Sequence, residues 1–313
     1  MTTATASPKA PQRLADRIFS GSSLVAGILI LVALAAVAIF LVAQSIPALV
    51  ADPKELKGEP ESFWAYVAPL VFGTMWAAFL ALLIALPLSL GIALFISHYA
   101  PRRVAQGLGY IIDLLAAVPS VVFGLWGIKV LAPAVVPLYT WLTENVGWFP
   151  LFTPPVSGTG RTVLTVAIVL AVMIIPIITA ICREVFLQTP RLHEEAALAL
   201  GATRWEMIQM AVLPFGRPGI ISAAMLGLGR ALGETMVVAM VLSVSPGLIT
   251  WILTSSQNSS TIAGNIALNF PEAHGVDVNL LIATGLVLFV ITLVINSIAR
   301  IVINRRKAFS GAN

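Results

Sequence analysis

Apolar and charged positions are sharply segregated along the chain, so its elements can be outlined from the stretches that lack charge. No charged residue occurs from Ile18 to Ala51, and Leu24 to Val42 reads as a first apolar span. Asp52 to Glu61 then carries four acids and two lysines, after which a second charge-free stretch runs from Ser62 to Pro101. Pro87 and Gly91 are expected to bend that helix. A third span is predicted from about Leu108 to Ile128, containing Asp113 and Pro119. Leu131 to Leu142 is apolar but too short to cross and holds Pro133 and Pro137, so a re-entrant or interfacial segment is expected. Trp141 and Trp148 suit a membrane boundary. A turn-rich stretch, Phe149 to Gly160, leads to a fourth span from Thr162 to Cys182. A hydrophilic segment, Arg183 to Pro218, precedes a fifth span at about Gly219 to Val244. A polar loop, Ser245 to Val278, precedes the sixth, Asn279 to Ile303.

Composition agrees with six crossings. The 313 residues are 58% hydrophobic and 10% charged, which excludes an ordinary soluble domain and a disordered chain. Membrane lipid is therefore the expected surrounding. The net charge of +4 has no basic run interleaved with aromatics beneath it, so no nucleic-acid partner is expected. Cys182 is the single cysteine and His98, His193 and His274 are dispersed, which leaves no metal set, no disulfide and no catalytic residue to nominate.

The distribution of Lys and Arg sets the expected orientation. With the N-terminus inside, thirteen basic residues fall on inner segments, four (Lys54, Lys57, Lys129, Arg161) on outer ones, and Arg230 within a span. The excess of basic residues on inner loops then puts both termini in the cytoplasm. The polar start with Lys9, Arg13 and Arg17 resembles a signal peptide, but the apolar stretch is long and more follow, so an uncleaved anchor is expected. Ala36-Val37-Ala38 leaves cleavage open.

The inner loop Arg183 to Pro218 has helix punctuation. Thr189 suits an N-cap, Pro190 a first helical position, and Gly201 a left-handed stop after Arg191 to Leu200. Thr203 and Glu206 have capping-box spacing, starting a second helix expected to stop before Pro214. Leu192, Ala196 and Ala199 share one side, suited to close approach by a partner or to an amphipathic helix on lipid headgroups.

The fifth span contains Arg230 and Glu234, four apart and so on one face of a continuous helix. A charge at the bilayer centre costs about 2.5 to 3.5 kcal/mol on insertion scales, so these residues need an explanation. Either they form an internal pair, with or without a tie to the helix carrying Asp113, or they line a polar path in which the guanidinium meets an oxyanion. Ser120 and Asp113 are further path candidates. Ser120 equally suits a carbonyl freed by Pro119, and Asp113 an interhelical hydrogen bond.

Glu195-Ala196-Ala197, three residues, Gly201, nine residues and Ala211-Val212-Leu213-Pro214 resemble the EAA loop of ATP-binding-cassette importer permeases, with Ala211 standing where that pattern has Ile. The resemblance implies that Glu194, Glu195, Ala196, Ala197, Gly201, Thr203, Leu213 and Pro214 couple the chain to an ATPase. No G-x-x-x-x-G-K-[ST] loop occurs here, so no cofactor is expected on this chain, and ATP with Mg2+ is expected on the partner.

Gly229 to Met236 (GRALGETM) and Val118 to Gly127 (VPSVVFGLWG), with Gly73-Thr74 and Pro87 to Gly91, further resemble phosphate permeases of the PstC type. This implies an all-α fold of the MetI-like type I importer class. The expected layout is a tail at 1–22, a first transmembrane helix at 23–50, an external loop at 51–66, a permease domain at 67–304 with its coupling loop at 189–214, and a tail at 305–313. It also implies a second permease (PstA type), an ATPase pair (PstB type) and an external phosphate-binding protein (PstS type). From the residues alone, sulfate or molybdate as cargo, or an ion-coupled secondary transporter using Arg230, Glu234 and Asp113, remain open.

Overall fold

The computed structural model describes residues 14–52 and 60–307, with side chains from 18–52 and 60–303. Lys9, Arg13, Arg17, Lys54, Lys57 and the last basic residues of the charge tally lie outside the described side chains. Among the described residues six helices are long and apolar enough to cross a membrane. Among the described residues the only β feature is one isolated bridge, Val244 with Asn258.

The first span lies in α1 (Leu14–Val50) and the second in α2 (Phe63–Leu94), which Ser62 caps by accepting from the Ala65 amide. A π turn, Phe95–Tyr99, ends α2. The third span differs from the expectation of Leu108 to Ile128. Residues Arg102–Ala116 form a separate amphipathic helix, α3, which is not among the six candidate spans. The chain then breaks at Pro119, whose ψ of 141° is extended, and the span runs from Ser120 to Val146. It consists of α4 (Ser120–Trp126), a π turn (Gly127–Leu131) and α5 (Ala132–Val146). The expected re-entrant segment Leu131 to Leu142 is thus part of a continuous helix long and apolar enough to cross.

The fourth span is α6 (Val163–Leu187), capped by Thr162. After it come α7 (Arg191–Ala199), α8 (Arg204–Met207), a π turn (Ile208–Val212) and α9 (Leu213–Leu232). The helix starting at Arg204 does not stop before Pro214, as expected, but continues through it as the fifth candidate span, Arg204–Leu232. Pro133 and Pro214 share one solution: each is the second residue of a helix that follows a π turn. A proline has no amide to donate and its ring collides with the carbonyl four residues back. In both turns the preceding residue bonds five back instead, Ala132 to Gly127 and Leu213 to Ile208, and the widened turn receives the ring. The fifth span also ends early, at Leu232, and α10 (Met236–Val241) is a separate short helix. Next come α11 (Ile262–Asn269) and α12 (Val276–Lys307), which contains the sixth span.

α6 is the centre of the bundle, with α2 on one side and α9 on another. Leu170, Met173, Ile174 and Ile178 of α6 are buried. Its partners present small residues: Ala77, Ala78, Ala81 and Ala85 from α2, and Gly216, Gly219, Ala223 and Gly227 from α9. In lipid there is little hydrophobic drive between helices, so close backbone approach and dispersion must hold them, and small side chains permit that approach. A Cβ at Gly227 would stand 2.7 Å from Ile178 Cδ1. α1 packs on α12, where Asn279 Nδ2 donates to the Gln44 carbonyl at 2.7 Å.

The polar stretch Ser245 to Val278, expected as a loop, has a buried middle between Leu253 and Gly264. Thr254, Ser255 and Asn258 to Thr261 are all under 8% exposed. Non-helical backbone in a membrane protein must find its hydrogen bonds inside the protein. Asn258 ties the stretch to its surroundings: its Nδ2 donates to the carbonyls of Ser243 (2.9 Å), Ser255 (3.0 Å) and Arg161 (3.4 Å), and its Oδ1 accepts from the Val163 amide (3.1 Å). Gly73, which has no side chain, lets the Ser260 carbonyl approach α2, and Thr74 Oγ1 accepts the Ile262 amide at 2.9 Å.

Candidate functional site

Two regions gather the residues singled out in the sequence. The first is the junction of α9 with α10. Arg230 lies in the last turn of α9 and is half-buried. Glu234 lies in the break after it and is 8% exposed, its Oε1 accepting the Val237 amide at 3.3 Å. Because α9 ends at Leu232, the two residues do not share one face of a continuous helix. No ion pair joins them among the described residues. Glu234, one residue before the N-cap Thr235, instead binds an amide in the first turn of α10.

α4 lies along α10 in the same direction. A Cβ on Gly124 would meet Met240 Sδ at 3.0 Å and the Met236 carbonyl at 3.7 Å, and one on Gly127 would meet Val241 Cγ2 at 3.1 Å. The segment with Val118 to Gly127 is therefore brought against the one with Gly229 to Met236, although more than a hundred residues separate them. Ser120, the first residue of α4, is half-buried. Asp113 is elsewhere: it lies on α3 and lines a cavity with Arg102 and Arg183.

The second region is the α7–α8 element. Pro190, not Thr189, is the N-cap of α7, and the buried Thr189 hydroxyl has no hydrogen-bond partner among the described residues. Gly201 has φ +84°, where only glycine is unstrained, and the Ala202 amide closes back on the Ala197 carbonyl at 3.2 Å. Thr203 and Glu206 form the reciprocal cap: Glu206 Oε2 accepts the Thr203 amide at 2.7 Å, and Thr203 Oγ1 accepts the Glu206 amide at 3.3 Å. Glu195, Ala196 and Thr203 are exposed, as are Leu192, Leu200 and Trp205, while Ala197 packs on the core. Leu213 and Pro214 start α9, so the element continues directly into the fifth span.

One contact here was not legible in the sequence. His98, in the π turn after α2, approaches Glu194 of α7, Nε2 to Oε1 at 3.4 Å, and its Nδ1 is 2.7 Å from Ser97 Oγ. The two residues are ninety-six positions apart, so only the end of the second span, where His98 sits, hinted at it.

Residues 85–308 match the family model described as binding-protein-dependent transport system inner membrane component. The chain belongs to that family. Among its curated relatives, a phosphate transport system permease protein PstC 2 of Mycobacterium tuberculosis is 43% identical over 303 residues, covering 93% of this chain and 92% of that protein. A PstC of Mesorhizobium japonicum is 40% identical over 311 residues, covering 96% and 93%. The fold is shared with a bacterial ABC transporter that imports the acidic polysaccharide alginate, at TM-score 0.59 and 19% identity over 93% of this chain and 96% of that one. It is shared too with the inward-facing MetNI methionine ABC transporter, at TM-score 0.57 and 14% identity over 77% and 95%. Six apolar helices and family membership make the chain a multi-pass protein of the bacterial inner membrane.

Proposed function

We propose that this chain is a permease subunit of an ATP-driven importer and carries inorganic phosphate across the inner membrane by alternating access. The observation that carries the cargo assignment is the half-buried Arg230 beside the α9–α10 break, with no carboxylate in ion-pair range among the described residues. A guanidinium offers a permanent charge and forked donors suited to a phosphate oxyanion. The relatives named as phosphate permeases support the same cargo. Arg230 is a transient ligand in this reading. Glu234 holds the first turn of α10 and limits the retention of the anion, and Ser120, on the helix packed against α10, offers a hydroxyl to the path.

Both termini are cytoplasmic in this proposal, which puts α7 and α8 on the inner side. ATP and Mg2+ act on a partner ATPase pair of the PstB type, docked on the exposed Leu192, Ala196, Leu200 and Trp205 side. A PstA-type permease completes the pore, and a PstS-type binding protein delivers phosphate from outside. This chain is then a membrane subunit without catalysis of its own.

The test is Arg230→Gln in cells lacking other phosphate systems. Uptake of labelled phosphate is expected to fall at least about tenfold, the loss of one charge-assisted contact, at unchanged membrane levels. Normal uptake in that variant overturns the assignment.

A further inference from the structure

A cavity of about 530 Å³ opens beside the start of α7 and shares no lining residue with the α4–α10 junction. Its walls come from the π turn after α2, from α3, from the end of α6 and from the start of α7. Arg102, Arg183 and Arg191 line it together with Asp113 and Glu184, so one positive charge is in excess, and Gln106 adds an amide. Arg183 is the most enclosed of the pair it forms. Its side chain is 19% exposed, its Nη2 donates to Glu184 Oε1 at 2.9 Å, and its Nη1 lies against Gly109, where any side chain would displace it.

Two helices also begin here. Arg102 opens α3 and Arg191 opens α7, and both line the cavity. Their N-caps are Pro101 and Pro190, neither of which can accept a first-turn amide through its side chain. The positive ends of two helices and three guanidinium groups therefore meet in one space, the arrangement that favours a tetrahedral oxyanion. Tyr110 and Leu114 of α3 are 72% and 70% exposed, which gives the helix an apolar side suited to the membrane surface beside the cavity.

We propose that this cavity is a binding site for a phosphoryl oxyanion, supplied by free inorganic phosphate or by the phosphate of an anionic lipid headgroup. Its occupation ties α7 to α3 and α6 and thereby restrains the element that faces the ATPase. The position of the site on the cytoplasmic side rests on the orientation proposed above, whereas its chemistry does not.

The test uses the two permeases with their ATPase pair, free of the external phosphate-binding protein and carrying Arg230→Gln in every sample, so that neither that protein nor the proposed path contributes and its failure cannot be confused with that of this site. One arm places the complex in phosphatidylcholine nanodiscs and measures labelled phosphate by equilibrium dialysis. The other adds phosphatidylglycerol and counts retained lipid by native mass spectrometry. Binding in the first arm identifies free phosphate as the ligand, and retention in the second identifies the headgroup. In the responding arm, Arg102→Gln with Arg191→Gln is expected to weaken binding at least about tenfold, while Arg102→Lys with Arg191→Lys keeps most of it. Equal binding by the Gln pair and its parent in both arms overturns the proposal. Should the Gln pair not assemble, Gly109→Ala, which displaces Arg183, decides it by the same readouts: unchanged binding overturns the site.

Discussion

Asn258 shows how much one side chain can carry where the backbone is irregular. It meets the carbonyls of Arg161, Ser243 and Ser255, none of them in a helix, and the first amide of α6, at Val163. Leaving a buried polar group without its partner costs about 1 to 3 kcal/mol, and several are exposed to that cost here. Asn258→Ala is therefore expected to lower the thermal unfolding midpoint in detergent by several degrees, whereas Gln257→Ala, whose side chain is exposed, leaves it unchanged. At the same scale Glu234→Gln keeps an acceptor for the Val237 amide while removing a charge. It is expected to lower both kcat and KM for phosphate uptake, because the anion is then held longer at Arg230; a rise in KM would contradict that role. Gly201 and the Thr203–Glu206 cap were legible from the sequence because φ +84° and the cap are decided within a few residues. Asn258 was not, since its partners at Arg161 and Val163 lie nearly a hundred positions away.

At the scale of elements, the third span was misplaced because average hydropathy is blind to a break that costs only three residues. Leu108 to Ala116 is apolar enough to read as membrane, yet its polar positions fall on one side and α3 is amphipathic. The extended Pro119 stops it. Conversely Pro133 suggests a re-entrant segment and Pro214 a helix end, yet π turns absorb both. The small-residue side of α9 is a sharper element-level feature. Gly227→Leu places a branched side chain where Ile178 already stands, and overpacking of this kind costs about 1 to 3 kcal/mol. The chain is expected to reach the membrane at reduced levels and to be cleaved faster by protease. Gly229→Leu, two positions on and with open space around it, serves as the control.

Across the whole molecule, α7 reaches the fifth span through Gly201 and α8, and the end of the second through Glu194 to His98. A motion of α7 thus reaches α2 and α9 together, the two helices packed on α6. Breaking the contact to the second span with His98→Ala is expected to leave the ATPase of the assembled importer within about twofold of normal while lowering phosphate transported per ATP. Glu194→Ala is expected to give the same defect, and the double variant no further one, the signature of two residues acting through one contact. Additive losses would show that the contact does not couple.

The sequence by itself determined that this is a six-span membrane protein with a helix, glycine turn and capped helix between its fourth and fifth spans. Hydropathy and capping depend on residues adjacent in the chain. Only the tertiary structure decided that α4 lies against α10, that Asp113 joins an arginine-lined cavity rather than the α9–α10 break, and that His98 meets Glu194. Those pairings are set by which helix faces pack on α6, and side-chain volume and close backbone approach across the bundle leave no periodic trace in one sequence.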